Sequence, residues 1–99
     1  MKLKKYYNEI NNEKNFVNAD FIDEIFKKSK FKIEVVYDKN LVVHCQLPNG
    51  FCITESSACV DKNNFSKEIG LDICTKRIKD KIWFLYGFLY QEMKYQEEE

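Results

Sequence analysis

The stretch Phe31-Lys32-Ile33-Glu34-Val35-Val36-Tyr37-Asp38-Lys39-Asn40-Leu41-Val42-Val43-His44-Cys45-Gln46-Leu47-Pro48-Asn49-Gly50-Phe51 decides the fold. Apolar residues recur at every second position, first Phe31, Ile33, Val35 and Tyr37, then Leu41, Val43, Cys45 and Leu47. That is the period of strands with one face buried. Asp38-Lys39-Asn40 supplies a turn between them. Pro48-Asn49-Gly50 supplies a second, because Asn-Gly readily takes the positive φ angles of a tight hairpin. A third strand is expected from Phe51 to about Ser56. Connections this short cannot carry the crossover that parallel strands need, so the three form an antiparallel meander.

On both sides of this stretch the apolar spacing changes to that of a helix. Asn18 or Asp20 caps a short helix through Lys28, with Phe21, Ile22, Ile25 and Phe26 on one stripe. After Asp61-Lys62-Asn63-Asn64 the chain reads as helix to about Tyr95, capped by Asn64 or Ser66, with Leu71, Cys74, Ile78, Ile82, Leu85, Leu89 and Met93 on one face. The fold class is therefore α+β: a short N-terminal helix, a three-stranded antiparallel meander and a long C-terminal helix packed on the sheet through Leu71, Ile78, Ile82, Leu85 and Leu89. Residues 1–17 show no sustained period and read as an N-terminal arm; 18–99 form a single domain, the most that 99 residues hold.

The long helix raises a packing question. About thirty helical residues at 1.5 Å each span about 45 Å, against a radius of gyration near 13 Å for a compact domain of about this length. From Ile82 to Tyr90 the helix is also apolar around its circumference, more than one small sheet covers. A homo-oligomer, dimer or higher, is expected, with residues buried between subunits among Trp83, Phe84, Tyr86 and Phe88; the alternative is a monomer in which the N-terminal arm wraps the far side of the helix.

Composition narrows the function. Sixteen Lys+Arg balance sixteen Asp+Glu, so the net charge gives no general attraction to DNA, RNA or an anionic membrane. No apolar run approaches the roughly 18 residues of a spanning helix, and the N-terminus turns polar where a signal peptide would be apolar. A cytoplasmic protein is expected. Cys45, Cys52, Cys59 and Cys74 contain no C-x-x-C pair, which argues for reduced thiols rather than zinc ligands. The one histidine, His44, has no Ser or Asp at a recognisable motif spacing, and no phosphate-binding glycine loop is present. Binding is favoured over catalysis.

Two features suit an anionic ligand. Arg77, Lys81, Phe84 and Phe88 fall at i, i+4, i+7 and i+11 on one helix stripe, offering charge for phosphate and rings for a base. The same stripe serves equally as a subunit contact with Arg77 at its rim. Ser56 and Ser57 lie near the Asn63-Asn64 helix start, where hydroxyls, carboxamides and backbone N–H groups form an anion pocket. Ordinary capping explains Asn64 but leaves the Ser-Ser pair unexplained.

Leu47-Pro48-Asn49-Gly50-Phe51, Glu55-Ser56-Ser57-Ala58-Cys59-Val60-Asp61, Asn64-Phe65, Glu68-Ile69-Gly70 and Trp83-Phe84-Leu85-Tyr86-Gly87-Phe88-Leu89 together resemble a family of small tailed-phage proteins with which the Thoeris anti-defence protein one sponges are grouped. The resemblance covers about half the chain. It implies a phage anti-defence sponge that sequesters a cyclic nucleotide immune signal without cleaving it, and so neither catalytic residues, metal nor cofactor. The signal would be a cyclic ADP-ribose isomer made by bacterial TIR-domain enzymes; some relatives also take up cyclic oligonucleotides. On this chain it implies Arg77 or Lys81 for phosphate, Phe51 for the base and Asn64 for polar orientation, with Ser56 and Ser57 at the same strand-to-helix junction. Only one arginine is present, so lysine would replace any second bidentate phosphate clamp. The other expected class is a protein-binding phage accessory factor that inhibits a host or defence protein through the aromatic helix or acidic tail.

Overall fold

The computed structural model describes residues 17–98. The N-terminal arm lies outside the described residues except for Val17, which is buried in the core. Helix α1 (Ala19–Lys28) starts at Asn18, whose side chain accepts a hydrogen bond from the Phe21 N–H at 2.9 Å, so Asn18 and not Asp20 is the cap. Strands β1 (Lys30–Val36), β2 (Asn40–Gln46) and β3 (Cys52–Ala58) form the expected antiparallel meander in the order β1-β2-β3. Helix α2 (Lys67–Glu98) follows a 3-10 turn at Lys62–Asn64. Its first turn is capped by Ser66, whose hydroxyl accepts from the Ile69 N–H at 3.2 Å; Asn64 belongs to the 3-10 turn.

Both turns differ in detail from the sequence reading. Tyr37 and Asp38 take φ of 55° and 57°, and the Lys39 N–H bonds the Val36 carbonyl at 3.3 Å. This is the type I′ arrangement, whose twist matches a right-handed hairpin, and that match outweighs the reluctance of tyrosine to enter positive φ. Tyr37 is therefore an exposed turn residue rather than the end of β1, while Asn40 belongs to β2. In the second turn only Gly50 has positive φ, at 95°. Its N–H bonds the Leu47 carbonyl and the Leu47 N–H bonds the Phe51 carbonyl, both at 2.8 Å, closing a three-residue loop around Pro48 and Asn49.

Strand β3 runs two residues beyond the expected Ser56, so Ser57 and Ala58 also belong to the sheet. A strand tolerates such residues where its neighbours are solvent or a charged helix face rather than core.

Helix α2 lies across β2 and β3, with α1 against another flank, and does not reach β1. Its buried stripe is Gly70, Cys74, Ile78, Ile82, Tyr86 and Met93, meeting Leu41, Val43, Cys45, Leu47 and Ile53 from the sheet. Leu71, Leu85 and Leu89, expected as main packing residues, flank this stripe half-buried. Tyr86 takes the central place because Phe21 of α1 packs edge-on against its ring, centroids 5.2 Å apart. At Gly70 the helix comes so near the sheet that an added Cβ would lie 3.1 Å from Leu41 Cδ2. The molecule is drawn out along α2, with a long dimension of 56 Å.

All four cysteines are free. Cys45 pairs with Ile53 in the register and does not face Cys52. Burial pushes both the Cys45 and Cys74 thiols up from the ordinary range, and a group held protonated is a poor nucleophile. Cys52 is exposed and Cys59 half-buried. A thiol-reactive dye at neutral pH should therefore label Cys52 and Cys59 in the folded protein and reach Cys45 and Cys74 only in denaturant, as peptide mapping would show. In urea melts, Ile82→Ala should lower stability by about 2 to 5 kcal/mol, whereas Phe84→Ala, at a position 77% exposed, should change it by no more than about 0.5 kcal/mol.

Candidate functional site

The helix residues that follow the basic stripe lie along β3. Because α2 runs back along that strand, Arg77 meets Ser56, Lys81 meets Glu55, and the next two turns reach Phe51 and the second hairpin. The Arg77 guanidinium donates to the Ser56 backbone carbonyl at 2.9 Å. Lys81 forms an ion pair with Glu55, whose side chain is only 13% exposed. Both cations thus have partners within the fold. So do their neighbours: Lys76 pairs with Asp72 at 3.0 Å, and Lys79 pairs with Asp23 at 3.3 Å while lying over the Phe26 ring.

Beyond Lys81 the surface turns aromatic. One groove of about 360 Å³ is lined by Phe51, Ile53, Thr54, Lys81, Phe84 and Leu85, with Cys52 at its side. A second, of about 220 Å³, lies between Leu47, Asn49, Phe51, Leu85, Phe88 and Leu89. They adjoin at Phe51 and Leu85, which line both, and together make up an aromatic trough. Phe51, Phe84 and Phe88 all expose half or more of their surface there. The trough is open, unlike the largely enclosed pockets that hold small ligands in a single chain.

The six candidate residues separate into groups. Phe51 and Lys81 line the same groove. Arg77 lies one turn before Lys81 on the same stripe, with its guanidinium held at the sheet edge. Ser56 and Ser57 are consecutive strand residues, so their side chains point to opposite faces: Ser57 is half-buried on the helix side and Ser56 is exposed on the other. The serine pair therefore does not present two hydroxyls to one ligand. Asn64 is exposed at the far end of β3, where its carbonyl accepts from the Cys59 thiol at 3.7 Å. Phe84 and Phe88 stood on the expected stripe; the parts of the trough that sequence reasoning missed include Leu47, Asn49, Ile53, Thr54, Leu85 and Leu89. Their only signal was position, since nothing in a linear pattern says which hairpin a helix will pass.

His44 has partners that motif spacing did not show. Its Nδ1 lies 3.0 Å from Thr54 Oγ1 and its Nε2 lies 3.7 Å from a Glu34 carboxylate oxygen. The three belong to adjacent strands on the sheet face away from α2. The second distance is too long for a hydrogen bond. Another surface groove, between Phe26, Glu68, Leu71, Asp72, Thr75, Lys76 and Lys79, carries the Lys76–Asp72 pair, while its Lys79 pairs with Asp23 outside the lining. Among the described residues no group of three or more His, Cys, Asp or Glu side chains is placed to hold a metal ion, and no helix is long and apolar enough to cross a membrane.

The Arg77 contact ties α2 to an edge strand. Arg77→Ala should lower stability by about 0.5 to 1.5 kcal/mol, the range of a single exposed-to-intermediate hydrogen bond. It should also speed hydrogen exchange in β3 more than in β1, which nuclear magnetic resonance can read residue by residue.

The sequence model of the phage protein (N4 Gp49/phage Sf6 gene 66) family matches residues 4–93. No curated protein and no solved structure matches.

Proposed function

This chain belongs to that phage protein family, and from that premise we propose that it is an anti-defence sponge: it binds a cyclic nucleotide immune signal and holds it uncleaved. The observation that carries the reading is the trough in which Phe51 and Phe84 line one groove together with Lys81, and Phe51 and Phe88 line the groove beside it. A purine stacked on one such ring gains about 1 to 3 kcal/mol, and an adjacent cation supplies the phosphate contact. The ligand class is the cyclic ADP-ribose isomers made by TIR-domain enzymes of Thoeris-type defence, with cyclic oligonucleotides as the second class. Sequestration needs tight, desolvated contacts and no nucleophile, which suits walls made of rings, aliphatic chains and one amine.

The open trough also fits the expected homo-oligomer. A second copy laid over it would complete the enclosure that one chain lacks, so each site would draw residues from two subunits. Glu55 opposes the reading in its present position, since a phosphate must compete with this carboxylate for Lys81. In an infected or lysogenic cell such a protein works in the cytoplasm, where TIR enzymes release their signal.

The aromatic stripe supports a second reading. Phe88 is 71% exposed, and the exposed Tyr95 extends the stripe beyond the trough, as a docking face for a host or defence protein would require.

A thermal-shift panel of cyclic ADP-ribose isomers and cyclic di- and trinucleotides separates the two, because a ligand bound tightly to the folded state must raise the melting temperature. The sponge reading expects a rise with at least one of them, and recovery of that compound chemically intact after denaturation. Phe51→Ala should then weaken binding by about 1 to 3 kcal/mol. Lys81→Glu should abolish it, and Arg77→Glu should do the same if the guanidinium swings from Ser56 to the phosphate. Glu55→Gln should strengthen binding by freeing Lys81. No shift with any member of the panel would remove the sponge and leave the protein-docking reading.

A further inference from the structure

Strand β1 carries an alternation that the described residues leave only partly covered. Phe31, Ile33 and Val35 stand opposite Cys45, Val43 and Leu41 on β2, and therefore on the same face of the sheet. Their β2 partners are at most 1% exposed, yet they themselves are 38%, 42% and 46% exposed, because α2 crosses β2 and β3 and stops short of β1. This edge has no proline, and its register with β2 runs unbroken over seven residues without a bulge. Those are among the devices by which edge strands ordinarily resist pairing.

The direction of the backbone groups follows from the hydrogen bonds next to β3. Leu47 bonds Phe51 and Lys39 bonds Cys59, so the odd-numbered residues of β2 exchange their bonds with β3. Its even-numbered residues then bond β1 at Lys30, Lys32, Glu34 and Val36. The N–H and C=O groups of Phe31, Ile33 and Val35 are left pointing outward. At the other edge of the sheet the Ser56 carbonyl, which points outward by the same rule, is occupied by Arg77. Among the described residues, the β3 edge is occupied at Ser56 and the β1 edge is open.

We propose that β1 pairs antiparallel with β1 of a second copy about a two-fold axis at Ile33, joining two meanders into one continuous six-stranded sheet. The charges choose this register. Outward-pointing residues must meet outward-pointing residues, so the pairing can shift only in steps that keep odd opposite odd. With Ile33 on the axis, Phe31 meets Val35 of the second copy and Lys32 meets Glu34 in both directions. Moving the axis one residue one way sets Lys32 against Lys32, and the other way Glu34 against Glu34; each is destabilising. In the chosen register the Lys32–Glu34 pairs are also the non-hydrogen-bonded ones, where opposing side chains approach most closely. All the outward N–H and C=O groups of Phe31, Ile33 and Val35 find partners, and their side chains form a shared apolar row beside the Phe26 ring, which already packs on Phe31 at 5.0 Å. This contact is distinct from the aromatic helix face and holds whether or not a nucleotide binds.

Light scattering and sedimentation on the full chain test it. The wild type should be at least dimeric at tens of micromolar. Lys32→Glu alone and Glu34→Lys alone should each weaken that dimer about tenfold or more, since symmetry sets two like-charge contacts against each substitution. The double variant Lys32→Glu/Glu34→Lys should restore it to near wild-type affinity. Both side chains lie on the exposed outer face, so all three variants should keep the wild-type circular dichroism. Phe84→Ala should leave this dimer intact. A monomeric wild type, or single and double variants that assemble alike, would overturn the pairing; the second result would move assembly to the aromatic helix face or to residues 1–16.

Discussion

Everything in this protein depends on the seating of one side of α2 against β2 and β3. A three-stranded meander alone has too little apolar surface to stay folded, and a helix of this length has too much to stay in water. Each covers the other along the line from Gly70 against Leu41, through Cys74, Ile78 and Ile82, to Tyr86. Burying a side chain of this type is worth about 1.5 to 3 kcal/mol, and among the described residues no other contact gathers so many in one row. Helix α1 then needs only Ile22 and its aromatic contact with Tyr86 to close the remaining flank.

That seating also decides what is left over. Because the helix runs along β3, its polar stripe meets the strand edge, and Arg77 and Lys81 become fasteners of the fold as much as candidate ligand groups. Farther along the helix, the Phe84 and Phe88 rings emerge beside Phe51 and the second hairpin and create an aromatic trough. Because it misses β1, an apolar row and a set of backbone groups remain for another chain. The two unfinished surfaces have different chemistry. The trough offers rings and one amine to a small or flat partner, whereas the β1 edge offers a ladder with a charge code that matches itself.

The balance between internal and external use of charge bears directly on the sponge proposal. A cation already paired at an exposed site loses little when it exchanges partners, because surface ion pairs contribute about 1 kcal/mol or less. Glu55 is more covered than the lysine it holds, so removing its partner costs more than for an ordinary surface carboxylate. Any phosphate at Lys81 must therefore be worth more than this carboxylate, which favours a ligand with two phosphates and a stacked base over a simple anion.

The linear chain determined the classes of its elements, because the periods of two and of about 3.6 are local properties carried by Leu41, Val43 and Cys45 on one side and by Cys74, Ile78 and Ile82 on the other. It determined the meander as well, since connections this short admit no other strand order. It did not determine the exact turns: Tyr37 enters a positive φ that its own preferences resist, and only hairpin twist explains why. Nor did it show that the strand continues through Ser57 and Ala58, because that end is held by the β2 ladder rather than by burial of apolar side chains. Of the candidate site, Phe51, Lys81 and the aromatic stripe were legible as residue types at helical or turn positions. That Ser56 and Ser57 face apart, that Arg77 closes a sheet edge, and that Phe31, Ile33 and Val35 lie uncovered were decided by the tertiary structure alone. The physical reason is the same in each case: a sequence specifies which face of an element is apolar, but only the path of α2 across the sheet determines how far that face is covered.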